Sequence, residues 1–403
     1  LAPRPLRGLY AVHLARSFEA FRRCFARWPA LSLNMVYADA AGDIGWQLVG
    51  DTPRRRTGWG LLPAAGWDRE AGWEEEPLPF EALPFLVNPE VGFVATANAK
   101  PLRSGEEPFL GAAWLDGYRQ ARIMEVLEAR RDWTLAETQA LQMDQVSLLW
   151  RELRDVVLAA PAETEATARG KALLGAWDGV VGADSAAAAL FEHFVAEMAR
   201  RASEAKAPGA VAWAMSRSAA PLMSNSSLIW RRVGHLSRLL REQPPGWFAR
   251  GWPREMADAL GKTVRTLEAR YGADVEQWAW GRLRPVTLQH PVGGRAPLDR
   301  IFNLGPFPWG GDGLTVAQAT LDVSDPSANP FLVASLRVVI DVGDWDASRF
   351  ILPSGQSGNP LSPHYADQFP LWQRGEGVPI AWSPEKVAEV AEAVLRLVPV
   401  QGM

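Results

Sequence analysis

Between about residues 110 and 285 the chain reads mostly as helix, and on both sides it reads as short strands broken by proline and glycine. No other feature limits the fold as much. Strand-rich ends around a helical middle predict an α+β fold whose sheet is built from segments distant in sequence. Three parts follow: a strand-rich core part over 1–100, a mainly helical part over 101–285, and a second strand-rich core part with a closing helix over 286–403.

Local patterns fill in this outline. A short helix is expected near 16–28. In residues 33–38, Leu33, Met35 and Tyr37 alternate with Asn34, Val36 and Ala38, the period of a strand. "DAAGD" supplies a turn, and "IGWQLVG" returns as a second strand, so 33–50 predicts a hairpin. From Thr134, with Glu137 three residues on, a capping box opens a run whose apolar positions Leu141, Val146, Leu149, Leu153 and Val157 recur at helical spacing. A further helix is expected over 185–203. "FLVASLRVVIDVG" (331–343) gives the clearest strand signal. Ser383 and Pro384 open a last helix, with Val387, Val390, Ala391, Val394 and Leu395 as its buried stripe.

Composition removes several function classes. A net charge of -4 offers no electrostatic capture of nucleic acid. No apolar run approaches the roughly 18 residues of a membrane span, so no membrane partner is expected. The single Cys24 excludes an internal disulfide framework and a Cys-rich zinc site. The five histidines share no metal-ligand spacing. Nineteen tryptophans are unusual, and many stand in Gly/Pro loops such as 57–79 and 305–313. The expectation there is that buried indoles pin the loops; the other reading is a non-enzymatic, Trp-rich glycan-binding module.

Three stretches invite a catalytic reading. "PSGQSGNPLSPHYADQ" (353–368) holds Ser357, His364 and Asp367 in triad order, but three residues so close in one loop rarely reach triad geometry. "GGDGLT" (310–315) lacks the Lys and the spacing of a phosphate loop and reads as turn glycines. The hairpin is different. Asn34 starts a strand and can donate an amide N–H to an oxyanion. The arginines at 54–56 follow the second strand, which antiparallel pairing returns to Asn34. One of them could orient the Asn34 carbonyl and hold an anionic substrate group. The alternative is that Asn34 bonds to backbone and the arginines face water.

The ordered series "NMVYADAAGDIGWQLVGDTPRRR", "LPAAGWD", "LPFEALPFLVNPEVGFVATAN", "YGADVEQWAWGRL", "HPVGG", "GGDGLTV", "SLRVVIDVGD" and "LPSGQSGNPLSPHYADQFPLW" resembles the penicillin acylase family of N-terminal-nucleophile amidohydrolases. The resemblance implies part of an αββα sandwich with a large helical insertion. It implies an amidohydrolase that cleaves the side-chain amide of penicillins or related linear amides through an acyl-enzyme; an acyl-homoserine lactone acylase of the same family is the alternative. The nucleophile in that family is the N-terminal Ser of the β subunit, with its own α-amine as base. "SNSSLIW" (224–230) lies in helical surroundings and is not that terminus. The chain begins at Leu1, so the expectation is the C-terminal part of a β subunit, inactive alone, with the α subunit and the preceding β segment of one precursor as partners. The family's oxyanion Asn falls on Asn34 and its site Arg on Arg55, with Arg56 as the substitute; Met35 and Arg56 are expected at the substrate. No cofactor is implied for catalysis. A structural calcium is implied without assignable ligands, as is a periplasmic or secreted location.

Overall fold

The computed structural model describes residues 5–29, 31–60, 64–103, 105–215, 232–330 and 332–398. In chain order the helices are α1 (Pro5–Val12), α2 (Phe18–Cys24), α3 (Tyr118–Glu128), α4 (Leu135–Gln142), α5 (Leu148–Leu158), α6 (Glu165–Gly175), α7 (Ala186–Lys206), α8 (Val211–Ala214), α9 (Arg232–Glu242), α10 (Trp252–Tyr271), α11 (Trp280–Leu283), α12 (Asp299–Phe302), α13 (Phe369–Arg374) and α14 (Pro384–Val390). The strands are β1 (Leu33–Ala38), β2 (Ile44–Val49), β3 (Phe85–Val87), β4 (Val286–Leu288), β5 (Leu304–Phe307), β6 (Ala319–Thr320), β7 (Leu332–Val333), β8 (Arg337–Val339), β9 (Arg349–Ile351) and β10 (Val378–Pro379). Two compact units result: one from Leu1–Ala38, Asp43–Arg131 and Met143–Ala334, the other from Asp39–Gly42, Asp132–Gln142 and Ser335–Met403.

The larger unit is built on α7. Its alanine run lacks β-branched residues, and the Ser185 hydroxyl caps it by accepting the Ala188 N–H. Leu190, Phe191, Phe194 and Met198 are fully buried, so the helix is enclosed rather than amphipathic. Its neighbours α6 and α10 meet at two glycines. A Cβ at Gly170 would lie 2.9 Å from Leu260, and one at Gly261 would lie 2.6 Å from the Thr167 hydroxyl. The Thr167 hydroxyl uses that closeness to donate to the Ala257 carbonyl across the helix pair. A second, smaller core joins α2 to the hairpin: Phe18, Phe21, Phe25, Trp28 and Val49, with Met35, Tyr37 and Phe80 packed against them.

The smaller unit holds the antiparallel sheet β10-β9-β8. Arg337 is buried there, donates to the Trp372 carbonyl at 2.8 Å and stacks over the Trp372 ring.

The hairpin forms as expected, with β1 and β2 antiparallel and Leu33 opposite Val49. Five other expectations change. The run from Thr134 is two helices, because Ser147 caps α5 through the Trp150 N–H after a break in which Asp144 binds the Val146 N–H. The 331–343 stretch is two short strands in different sheets, β7 pairing β6 and β8 pairing β9. The two ends of the chain therefore share no sheet among the described residues; each sheet is assembled locally. Ser383 and Pro384 do open α14, but its intended buried stripe is bare, with Val394 90% exposed. Trp59, Trp67 and Trp73 likewise lie open on their loop, whereas Trp309 is buried as a pinning indole should be.

Candidate active site

Asn34 stands opposite Leu48 in the β1–β2 ladder, and Trp46 stands opposite Val36. Residues two apart share a face of a strand, so Asn34, Val36, Trp46 and Leu48 lie on one side of the hairpin. Trp46 and Leu48 are buried there, and Asn34 is half-buried. The Trp46 indole Nε1–H donates to Asn34 Oδ1 at 2.9 Å. Among the described residues the Asn34 Nδ2 amide donates no hydrogen bond. The carbonyl is thus held by an indole, where an arginine was expected, and the free group is the donor. Met35 is one residue on and faces the other way, into the aromatic core with Phe18 and Phe21. Strand alternation puts its side chain on the opposite face of the hairpin from Asn34.

The three arginines divide their work. The chain from Thr52 to Arg56 is laddered against 72–78 through Leu78 N–H to Thr52 O, Glu74 N–H to Arg54 O and Arg56 N–H to Gly72 O. Arg56 is spent on this loop: Nη1 donates to Arg69 O at 2.8 Å, and Nε is 3.6 Å from Glu74. Arg55 is half-buried, and among the described residues its buried Nη1 has no partner. Its guanidinium lies 5.9 Å from the Phe109 ring centre, and Gly60, at φ +74°, leaves it room, since a Cβ there would come within 2.8 Å of Nε. An unpaired buried guanidinium N–H is costly unless an anion or carbonyl meets it.

The other candidates carry less. His364 Nδ1 and Asp367 Oδ2 do meet at 2.8 Å, and that contact raises the His364 pKa, but both groups are exposed. The Ser357 hydroxyl accepts the Asn359 N–H, and Ser357 makes no hydrogen bond to the His364 ring, so no triad forms. In "GGDGLT" the Asp312 carboxylate consumes the Leu314 and Thr315 N–H groups, both at 2.7 Å, which removes any phosphate cradle. Residues 224–230 lie outside the described residues. Among the described residues no three His, Cys, Asp or Glu side chains converge. No described helix is long and apolar enough to cross a membrane.

Sequence reasoning missed two features. Trp46 was legible as a same-face neighbour of Asn34 once the hairpin register was fixed. The other is a cavity of about 70 Å³ in the larger unit, lined by Glu192, Asp312, Arg119 and apolar side chains including Leu149, Val195 and Leu321. Burial, and then Asp312, push the Glu192 carboxyl well above its ordinary range, and its Oε1 has no partner among the described residues. Burial brings the nearby Arg284 guanidinium down to about 10, while Nη1 and Nη2 bind the Ala319 and Gly311 carbonyls. Glu192 and Arg284 sit in α7 and after α11 with no spacing that ties them to Asp312.

Residues 2–389 match the family model for penicillin amidase. The acyl-homoserine lactone acylase QuiP of Pseudomonas aeruginosa is 30% identical over 96% of this chain and 49% of that protein. The penicillin acylase 2 proenzyme of a Pseudomonas species is 30% identical over 92% of this chain and 47% of that protein. The chain spans about half the length of these curated relatives. Among solved structures, a thermostable penicillin G acylase from Alcaligenes faecalis aligns with TM-score 0.70 over 99% of this chain and 73% of that one, at 21% identity. That likeness shows the fold, the mixed α and β architecture of an N-terminal-nucleophile hydrolase with its helical insertion.

Proposed function

The chain belongs to the penicillin amidase family, and from that membership we propose that it supplies the oxyanion-binding side of an amidohydrolase acting on linear amides. The nucleophile is assigned to polypeptide of the same precursor beyond this chain, in line with relatives of about twice the aligned length, one of them named a proenzyme. An N-terminal Ser there attacks the amide carbonyl, and its α-amine, with a pKa near 8, takes the hydroxyl proton. As the carbonyl oxygen becomes an oxyanion, Asn34 Nδ2 donates to it. The amine leaves with the proton held by the α-amine, and water then releases the acyl group by the same route. Arg55 holds an anionic group of the substrate through its unpaired Nη1.

One observation carries this reading: among the described residues the Asn34 amide N–H has no acceptor, while its carbonyl is held by Trp46 on the paired strand. A donor fixed before reaction loses little to reorganisation when charge develops. Of the two substrate classes, acyl-homoserine lactones gain support from the 30% identity to an acylase of that name, and penicillins from the proenzyme at the same identity. The reading also places the protein in the periplasm or outside the cell. The test is steady-state kinetics on the assembled, full-length protein. Asn34→Ala should lower kcat roughly 10²- to 10³-fold with KM little changed. A folded Asn34→Ala enzyme within about threefold of the parent, under 1 kcal/mol, would remove Asn34 from catalysis.

A further inference from the structure

An amide side chain has two ends of nearly equal size, and only one can serve an oxyanion. If the Asn34 amide were turned over, its NH₂ would face the Trp46 N–H, donor against donor. The indole has no acceptor with which to answer. Trp46 therefore admits one orientation and excludes the other. Three features make Trp46 a rigid anchor. It lies on the central strand of β1-β2-β3, paired with Val36 on one side and Leu86 on the other. The residue is 6% exposed. Its single polar atom is committed to Asn34 at 2.9 Å.

We propose that Trp46 is a positioning residue for the amide hydrolysis: its indole N–H locks Asn34 so that Nδ2 points at the developing oxyanion. This rests on the role given to Asn34 above and adds the device that aims it. Without the indole N–H, Asn34 keeps its place on β1 but divides its time between rotamers and between the two amide orientations. Fewer molecules then present a donor when the oxyanion forms. The loss falls on kcat, because the ground-state carbonyl gains little from that bond.

The test is a double-substitution cycle in the assembled, full-length protein, using Trp46→Phe, Asn34→Ala and the pair. Trp46→Phe keeps a buried ring and removes the N–H. It should lower kcat roughly five- to tenfold, the scale of one neutral hydrogen bond, with KM within about twofold. In the Asn34→Ala background the same substitution should change kcat by less than about twofold, since nothing is left to aim. If Trp46→Phe fails to fold, 3-benzothienylalanine at position 46 keeps the indole shape without the N–H and gives the same readout. Parent-level kcat in either N–H-less variant, with Asn34→Ala impaired, overturns the inference and leaves the role of Asn34 standing. An undiminished Trp46 effect in the Asn34→Ala background overturns it too. Parent-level kcat in Asn34→Ala removes the role of Asn34 and the inference together.

Discussion

Arg22 Nε donates to Gln47 Oε1 at 2.6 Å, and both side chains are buried beneath the hairpin that carries Asn34. The bond pins α2 to the central strand β2. Gln47 spends its amide on the Leu48 carbonyl at 2.7 Å, and the guanidinium stacks 3.8 Å from the Phe85 ring centre. The contacts of Arg22 with Glu19 and Glu81 matter less, because those carboxylates are 61% and 78% exposed.

Arg22→Met should therefore destabilise the larger unit by about 2–3 kcal/mol, chiefly by leaving Gln47 Oε1 buried without a donor. Adding Gln47→Leu should recover part of that loss, because an apolar pair leaves no orphan. Urea titrations of the single and double variants check this. A double variant less stable than Arg22→Met would show that packing, not the orphaned oxygen, sets the cost.

Glu192 gives a pH dependence of unusual sign. The groups facing it are Asp312 and Arg284, with Arg119 across the cavity. Its pKa in the folded protein lies above the ordinary value of 4.5, first through burial and then through Asp312. Its contribution to stability is fully present below the ordinary value and is lost as pH rises through the folded value. Glu192→Gln, a permanent mimic of the neutral acid, should flatten this fall and be the more stable form at the alkaline end. Denaturation midpoints between pH 5 and 9 decide it; parallel curves for the two proteins would mean that Glu192 is ionised throughout.

Glu197 works the other way. Burial raises its pKa, but hydrogen bonds from Arg200, Arg201 and Lys262 more than reverse this and bring it to about 2. The stability it adds is present above 4.5 and lost as pH falls toward about 2. Glu197→Gln should cost at most about 3 kcal/mol at pH 7, and the gap should shrink to less than half by pH 3. A gap unchanged from pH 7 to pH 3 would mean that the charge of Glu197 contributes nothing.

The hairpin was legible because its signals are local: period-two alternation, a Gly turn and a return strand fix the register within twenty residues. That register puts Asn34, Trp46 and Leu48 on one face and Met35 on the other, a separation already written in the alternation. The run from Thr134 misled because Asp144 and Ser147 interrupt it without disturbing the apolar spacing. The stretch 331–343 looked like one strand because hydrophobicity does not say which neighbour each half will pair with. The Glu192–Asp312–Arg284 cluster had no signal at all, since its members are brought together only by the packing of α7 against the 310–321 loop.

Arg55 and Arg56 are adjacent in sequence and should differ sharply in effect. Arg56 is bound to Arg69 O and lies near Glu74, so Arg56→Ala should leave kcat and KM within about twofold and slightly lower the melting temperature. Arg55 has a buried Nη1 with no partner among the described residues, and the role proposed for it gives that atom a substrate group to bind. If that ligand group is an anion, Arg55→Ala should raise KM for a carboxylate-bearing penicillin roughly tenfold or more, the scale of a hydrogen bond to a charged group. An uncharged acyl-homoserine lactone should suffer far less. Arg55→Lys should recover only part of the loss, because an ammonium keeps the charge but not the planar fork. The measurement is kcat and KM for both substrate types on the assembled protein, with folding checked by circular dichroism. Equal losses on charged and neutral substrates would assign Arg55 to the scaffold of the loop, and losses confined to Arg56→Ala would reverse the order of the two arginines.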